Sequence, residues 1–457
     1  MLRQTNSGKK GEEQPVFLED IHLGPKDGSL EDIQVEQART RVRVDRAKKG
    51  KKVEVKVDKK GDDRKLNLTF RMMLGVRVAV GRQASPFLKD GLLADDFTQV
   101  DKYVFPPAGA GGRLATPSHK LNRTFKFRDY APKVFKKLRG IFGINEASYM
   151  ISVAGDYDYL ELITNSKSGS FFFYSHDHKY IIKNMKRAEA KFLRGMLPQY
   201  YEHHRNNPDS VLIRFCGMYL VKSGHRKVPF VVMKCIDGAA QMPIHTRYDL
   251  KGSTVHRTAA EGDKVLKDNN LRANKSTFCL GSQREAFLKV VRADAEFLCS
   301  VNVMDYSMFI SVHDNSRPPE RKLQRSYTQF LTFADEASGG PEAFKSIPLK
   351  RGGSSFVAGV DVADAALQAE PDAKSSTVAE RTIRYRDDGG IESAAGDDGS
   401  PSEIYWLGVI DVLQVYTNMK HLETWYKGIG RVKSELSCVD PNLYCERFVA
   451  FMEETTR

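Results

Sequence analysis

Two aspartates stand alone in apolar runs. Asp305 lies within Val303-Met304-Asp305-Tyr306-Ser307-Met308-Phe309-Ile310, and Asp411 within Trp406-Leu407-Gly408-Val409-Ile410-Asp411-Val412-Leu413. A carboxylate among apolar neighbours is costly unless it is paired or used. Lys183 closes a third apolar run, Tyr180-Ile181-Ile182-Lys183. One strand lysine and two isolated carboxylates fit metal-assisted phosphoryl transfer, in which one carboxylate orients the nucleophile and the other holds Mg2+. The bland reading of Asp305 is a turn cap after the preceding helix.

Upstream of Lys183, Ser166-Lys167-Ser168-Gly169-Ser170 is a small-residue turn between two strands. Such a turn brings backbone N–H groups close to phosphates. Glu189 follows at the start of a helix, and strand lysine plus helix glutamate is the pair that holds nucleotide phosphates in kinase-type sites. The bland alternative is a Gly-Ser hairpin beside an exposed lysine. Val231-Val232-Met233 is an apolar strand fit to line an adenine pocket. Arg247-Tyr248-Asp249-Leu250-Lys251-Gly252-Ser253-Thr254 then offers Lys251, with Arg257 just beyond, as phosphate contacts; otherwise it is a basic surface turn. His176 and His178 flank Asp177 in a hairpin, and no third ligand stands at a metal-binding spacing. Both are expected to face solvent.

The elements that must position these residues follow from periodicity. Leu68–Val80 reads as an apolar helix or strand, and Val134–Phe142 as a basic amphipathic helix. Tyr159–Thr164, Ser170–Tyr174, Lys179–Lys183, Val211–Val221 and Phe230–Cys235 read as strands. Residues 187–205 and 283–300 have helical spacing, the first with Ala190, Leu193 and Leu197 on one face. A strand-rich half followed by a mixed half suggests two unequal lobes with a cleft between them.

The chain has 457 residues, 71 Lys plus Arg against 58 Asp plus Glu, and a net charge of +13. That excess favours anionic partners. With 41% hydrophobic residues the chain can build a sizeable core, which argues against a wholly disordered or fibrous protein. No run is apolar enough to span a membrane, and the first fifteen residues carry no secretory signal. The six cysteines form no CxxC pair, so buried free thiols in a reducing compartment are expected. Residues 1–66 read as a basic, disordered arm; Arg41–Lys65 alone carries 12 basic and 5 acidic side chains. The Val-charge alternation of KKVEVKVDKK also allows a short edge strand. Residues 314–402, rich in Ser, Gly, Ala, Asp and Pro, read as a disordered insertion. Folded material is then expected in 67–313 and 403–457.

Taken in order, SGSFFF…YIIK, YDLKGST, LKDNNL, MDYS and GVIDVLQVY resemble the phosphatidylinositol phosphate kinases. The resemblance covers essentially all of the expected folded chain. It implies an α+β, two-lobed, protein-kinase-like lipid kinase fold with a flat basic membrane-facing surface, and an insertion ahead of the metal-binding Asp. It implies ATP and Mg2+ as cofactors. Ser168, Gly169, Ser170, Lys183, Glu189 and Met233 would bind the nucleotide, with Glu189 as ion-pair partner of Lys183. Asp305 would orient or deprotonate the inositol hydroxyl, with Lys183 and Lys251 completing the catalytic set, and Asp411 would bind the metal. Lys251, Arg257, Lys420 and Glu423 would meet the lipid headgroup. Asn270 departs from the family, where an acidic residue often stands in LKDNNL.

The segment after Asp411 contains Lys420-His421-Leu422-Glu423. It is similar to the Lys-Lys-Leu-Glu pattern of type I enzymes, in which type II enzymes replace the Glu by Ala. Phosphatidylinositol 4-phosphate 5-kinase activity is therefore expected, giving the 4,5-bisphosphate. The type III enzymes, which act on the 3-phosphate, share the Glu and remain an alternative, as does a catalytically weak phosphoinositide-binding scaffold. The expected setting is cytoplasmic, on an anionic phosphoinositide membrane, with a homodimer suggested by type I relatives. No nucleic-acid partner is expected.

Overall fold

The computed structural model describes residues 42–43, 56–57, 59–83, 91–107, 121, 123–155, 160–162, 172–317, 381–395, 401–415 and 440–457. Two short strands, β1 (Val42–Arg43) and β2 (Lys56–Val57), pair antiparallel ahead of the long helix α1 (Lys59–Gln83). The expected arm therefore ends earlier than residue 66. Once the apolar stretch from Leu68 nucleates a helix, each added residue gains a bond, so the helix extends back through charged sequence.

The first lobe is a seven-stranded antiparallel sheet. Its strands are β3 (Val100–Phe105), β4 (Phe125–Tyr130), β5 (Leu160–Leu162), β6 (Phe172–Tyr174), β7 (Tyr180–Asn184), β8 (Phe215–Ser223) and β9 (Arg226–Lys234), in the order β3-β4-β8-β9-β7-β6-β5. Helices α2 (Pro132–Ile141), α3 (Glu146–Ala154) and α4 (Arg187–Asn206) complete it. Side chains alternate across the strands. Phe127, Tyr180, Ile182, Phe230 and Val232 share a core with α1 and α3. Phe215, Met218 and Val231 face the other way, into a core shared with α2 and α4. Gly75 lets α1 press onto the sheet, because a Cβ there would stand 2.0 Å from the Phe127 ring.

The second lobe is a five-stranded sheet of β10 (Thr246–Leu250), β11 (Leu266–Lys267), β12 (Ser307–Asp314), β13 (Ile391–Glu392) and β14 (Glu403–Ile410), ordered β11-β10-β12-β14-β13. Helices α5 (Asp268–Ala273), α6 (Arg284–Ser300) and α7 (Pro441–Thr455) pack against it. The core under α2 and α4 runs on without a break into Val291, Leu298, Tyr306, Tyr444 and Phe448 of this lobe. The α+β class and the two unequal sheets agree with the expectation from sequence.

Three expectations need correction. The run Val211–Val221 is not one strand: β8 begins at Phe215, and Val211 and Ile213 bond the Val409 backbone of β14 instead; they are apolar because their side chains are buried in the shared core. His178 is buried, not solvent-facing, in a left-handed turn whose Asp177 accepts the Ser152 hydroxyl at 2.5 Å and the Ser175 hydroxyl at 2.7 Å.

The insertion is also not disordered throughout. Residues 381–395 bury Ile383 and Ile391 and add β13 to the edge of β14. Asp209 Oδ2 accepts the Thr382 amide at 2.5 Å, the Thr382 hydroxyl at 2.9 Å and the Ile383 amide at 3.2 Å. Isolated anchors separated by turns leave no hydrophobic period to read. All five described cysteines are free; Cys216, Cys235 and Cys445 are buried, and Cys279 and Cys299 half-buried.

Candidate active site

The antiparallel register of the second sheet brings three loop residues to one end. β10 ends at Leu250, opposite Met308 near the start of β12, and Ser307 at that start lies opposite Ile410, the end of β14. Lys251 and Asp411 are therefore one residue beyond, and Asp305 two residues ahead of, three neighbouring strand ends. Asp305 and Asp411 both adopt left-handed backbone, with φ of 65° and 62°. Aspartate tolerates that region better than most side chains, but it is sparsely populated and concentrates at functional sites.

Lys251 Nζ donates to Asp305 Oδ1 at 2.8 Å and to the Asp305 carbonyl oxygen at 2.8 Å. One ammonium thus holds both the carboxylate and the turn that carries it. From the other lobe, Lys183 Nζ approaches Asp411 Oδ1 at 3.8 Å. Both Asp carboxylates keep free faces, with side-chain exposure of 24% for Asp305 and 48% for Asp411. The Lys183 ammonium also lies 5.1 Å from the centre of the Phe172 ring. Ile181 and Lys183 are opposite Met233 and Val231, so Met233 sits on the Lys183 face of the first sheet. The arrangement gives each part-exposed carboxylate an ammonium partner, Lys251 from the same sheet and Lys183 from the other, a charge pattern that suits transfer of a charged group.

Comparison with known proteins gives the family. The family model for Phosphatidylinositol-4-phosphate 5-Kinase matches residues 153–455. The chain belongs to the phosphatidylinositol-4-phosphate 5-kinase family. It is similar to the phosphatidylinositol 4-phosphate 5-kinase its3 of Schizosaccharomyces pombe, 34% identical over 85% of this chain and 53% of that protein. It is also similar to a probable phosphatidylinositol phosphate kinase of Dictyostelium discoideum, 36% identical over 77% of this chain and 51% of that protein. Phosphatidylinositol 4-phosphate 5-kinase 5 of Arabidopsis thaliana is 33% identical over 85% of this chain and 50% of that protein. The chain spans about half the length of these curated relatives.

Within this member of the family, other expected site residues stand differently. Glu189 Oε2 accepts the Lys186 amide at 2.6 Å and closes the capping box of α4. Among the described residues the carboxylate beside Lys183 is that of Asp411, not Glu189. Arg257 is buried and bonds Asp268 Oδ2 at 2.7 Å, the Asp249 carbonyl, and the Asp249 carboxylate at 3.1 Å. Burial would lower its pKa, and the two carboxylates raise it overall, so the guanidinium stays charged in place. Asn270 accepts the Ala259 amide at 2.8 Å, a backbone contact its amide oxygen makes without a charge. Ser168, Gly169, Ser170, Lys420 and Glu423 lie outside the described residues.

LKDNNL retains Asp268, to which the sequence pattern assigns no role. It is fully buried, and its Oδ1 accepts the amides of Lys251 at 2.9 Å and Gly252 at 2.7 Å. The signal was present in LKDNNL, an aspartate between a strand and a helix, but its partners lie 16 and 17 residues away. The sequence pattern likewise assigns no role to Tyr444 of α7; its hydroxyl donates to the Tyr306 carbonyl, beside Asp305.

Proposed function

We propose that the protein transfers the γ-phosphoryl group of ATP to the 5-hydroxyl of phosphatidylinositol 4-phosphate, giving phosphatidylinositol 4,5-bisphosphate. The observation that carries this reading is the pairing of Lys251 with Asp305 and, between the two sheets, of Lys183 with Asp411. Asp305 orients the inositol hydroxyl and accepts its proton. Lys251 holds that carboxylate aimed, and meets the transferred or acceptor phosphate. Lys183 neutralises the nucleotide phosphates, with Ser168, Gly169 and Ser170 contributing backbone N–H groups and Met233 packing against the base.

The donor set fits Mg2+. That ion is bound through one or two carboxylates plus substrate phosphates, not a dedicated cage, and Asp411 keeps a half-exposed carboxylate facing the Lys183 cleft. When bound, Mg2+ supplies charge neutralisation for the transferring phosphoryl group. Arg257 and Glu189 serve this reading as local scaffolding: Arg257 braces Asp249 against Asp268, and Glu189 caps α4. Lys420 and Glu423 are assigned to the headgroup, with Glu423 accepting hydrogen bonds from ring hydroxyls and so favouring one pose. A basic face against an anionic membrane, peripheral attachment in the cytoplasm and a homodimer belong to the same proposal. Among the described residues no helix is long and apolar enough to cross a membrane.

The test is a kinase assay on vesicles that offer the 3-, 4- and 5-monophosphates separately, with the product isomer identified. Preference for the 4-phosphate with 4,5-bisphosphate as product is expected. Preference for the 3-phosphate would replace the substrate, and no turnover on any of the three would leave a lipid-binding scaffold. Glu423→Ala is expected to relax the ratio of kcat/KM between the 4- and 5-phosphates; a proportional fall in both would remove Glu423 from specificity.

A further inference from the structure

We infer that Asp268, sealed beneath the Lys251–Gly252 turn, is a positioning residue for phosphoryl transfer: it fixes the backbone that carries Lys251 and thereby sets Lys251 against Asp305. The inference rests on the roles proposed above for Lys251 and Asp305.

Asp268 is 0% exposed. β11 runs parallel beside β10, with Asp249 opposite Lys267, so Asp268 arrives one residue beyond the pairing and directly under the turn. Its Oδ1 takes two consecutive backbone donors, Lys251 N at 2.9 Å and Gly252 N at 2.7 Å. Its Oδ2 takes Arg257 Nε at 2.7 Å. A carboxylate moved out of water costs several kcal/mol unless its lone pairs are filled, and here three donors fill them. The turn is closed from the opposite side by α7. Gly252 has φ +70°, and a Cβ there would lie 3.0 Å from Phe451 Cβ and 3.2 Å from the Arg447 carbonyl oxygen. Held between Asp268 and α7, the turn offers Lys251 one trajectory. The side chain spans to Asp305 and makes its two 2.8 Å contacts there.

The arrangement also accounts for Arg257. Its side chain is spent on Asp268 and Asp249 and completes the brace. A lysine on a loose turn would spread over several rotamers, and a displacement of about 1 Å at a reacting centre can cost on the order of 100-fold in rate.

Asp268→Asn keeps one oxygen for the two backbone amides but turns an N–H donor toward the Arg257 donor. Asp268→Ala leaves all three donors without this partner. In the vesicle assay Asp268→Asn is expected to lower kcat about 10-fold and Asp268→Ala about 100-fold. The KM for ATP should stay within about twofold, because the nucleotide is assigned to Lys183 on the other lobe. The deciding measurement is a double-mutant cycle. If Asp268 acts through Lys251, adding Asp268→Asn to Lys251→Ala lowers kcat by less than about twofold further. Losses that multiply in the double variant, or kcat unchanged in Asp268→Asn, overturn the inference. So does a fall in active protein that leaves kcat per folded molecule intact, measured by thermal unfolding alongside. Asp305→Asn, assayed in parallel, separates the two levels. Turnover surviving there removes the underlying reading; loss there with multiplicative Asp268 and Lys251 effects removes this inference alone.

Discussion

The first lobe and the second each hold a cluster of charges, and the two are finished differently. In the first, Arg139 is buried and wholly used: Glu146 accepts from it at 2.6 and 2.8 Å, the Cys216 carbonyl at 2.7 Å and the Gln83 amide oxygen at 3.1 Å. Burial alone would lower its pKa, and the Glu146 carboxylate more than reverses that. In the second, Asp305 meets Lys251 of the same lobe and Asp411 meets Lys183 reaching across from the first, yet both carboxylates remain part-exposed and sit on left-handed backbone. A cluster satisfied from within stabilises a fold. A cluster that keeps its carboxylates part-exposed, on backbone held away from its preferred region, is a candidate for binding a ligand.

The largest expected effects test the open cluster. Asp305→Asn, Asp411→Asn and Lys183→Met should each lower kcat on vesicles by roughly 10³-fold or more. Their unfolding midpoints should stay close to the parent, since these side chains are part-exposed. Near-normal turnover by any one of them would take that residue out of the chemistry and weaken the contrast with Arg139.

The closed cluster should fail the other way. Arg139→Met leaves Glu146 and Gln83 without their partner; breaking a buried pair from one side costs about 3–5 kcal/mol. A large drop in the urea midpoint is expected, with kcat per folded molecule within about twofold. A 100-fold loss of turnover in protein that remains folded would make Arg139 part of the machinery and erase the distinction.

Much of the open cluster was legible because each member breaks a local rule. Asp305 and Asp411 interrupt apolar runs, and Lys183 ends one. Their convergence needs only strand register, which apolar alternation carries. Asp268 was not legible as a brace, because its partners are backbone amides with no side-chain signature. Arg257 looked like a phosphate contact for the same reason: nothing local says that Asp249 and Asp268 surround it. Glu189 stands at the spacing of an ion-pair partner and also at that of a capping box, and the backbone N–H of Lys186 takes it.

The tail of the insertion shows how composition misleads. Residues 381–395 are polar overall, yet Ile383 and Ile391 are buried and Trp406 donates to the Asp388 carbonyl at 3.3 Å. Replacing 318–380 with a short Gly/Ser linker should leave the unfolding midpoint and turnover unchanged. Extending the replacement through 395 should cost about 3 kcal/mol, the scale of two buried isoleucines. Equal stability of the two deletions would return the whole insertion to a dispensable role.

The smallest effect comes from a charge that has neither kind of finish. Lys234 closes β9, and among the described residues no carboxylate lies within ion-pair distance of it. Burial pushes its pKa down to about 8, helped by Arg214, Arg381 and Lys179 and opposed by Cys216, whose thiol burial pushes up to about 12. Because the folded value lies below the ordinary one, folding disfavours the charged form. The penalty is full below pH 8 and fades as pH rises toward the unfolded pKa near 10.5. A shift of that size would amount to about 3 kcal/mol, and residual solvent contact reduces it to about 1–2 kcal/mol. Lys234→Met should therefore raise the urea midpoint at pH 7 and show less gain than the parent between pH 7 and 9.5. Arg139, more deeply buried but paired, should show no such gain on removal. If Lys234→Met shifts the midpoint equally at both pH values, the charge is compensated after all, and what separates Lys234 from Arg139 is packing.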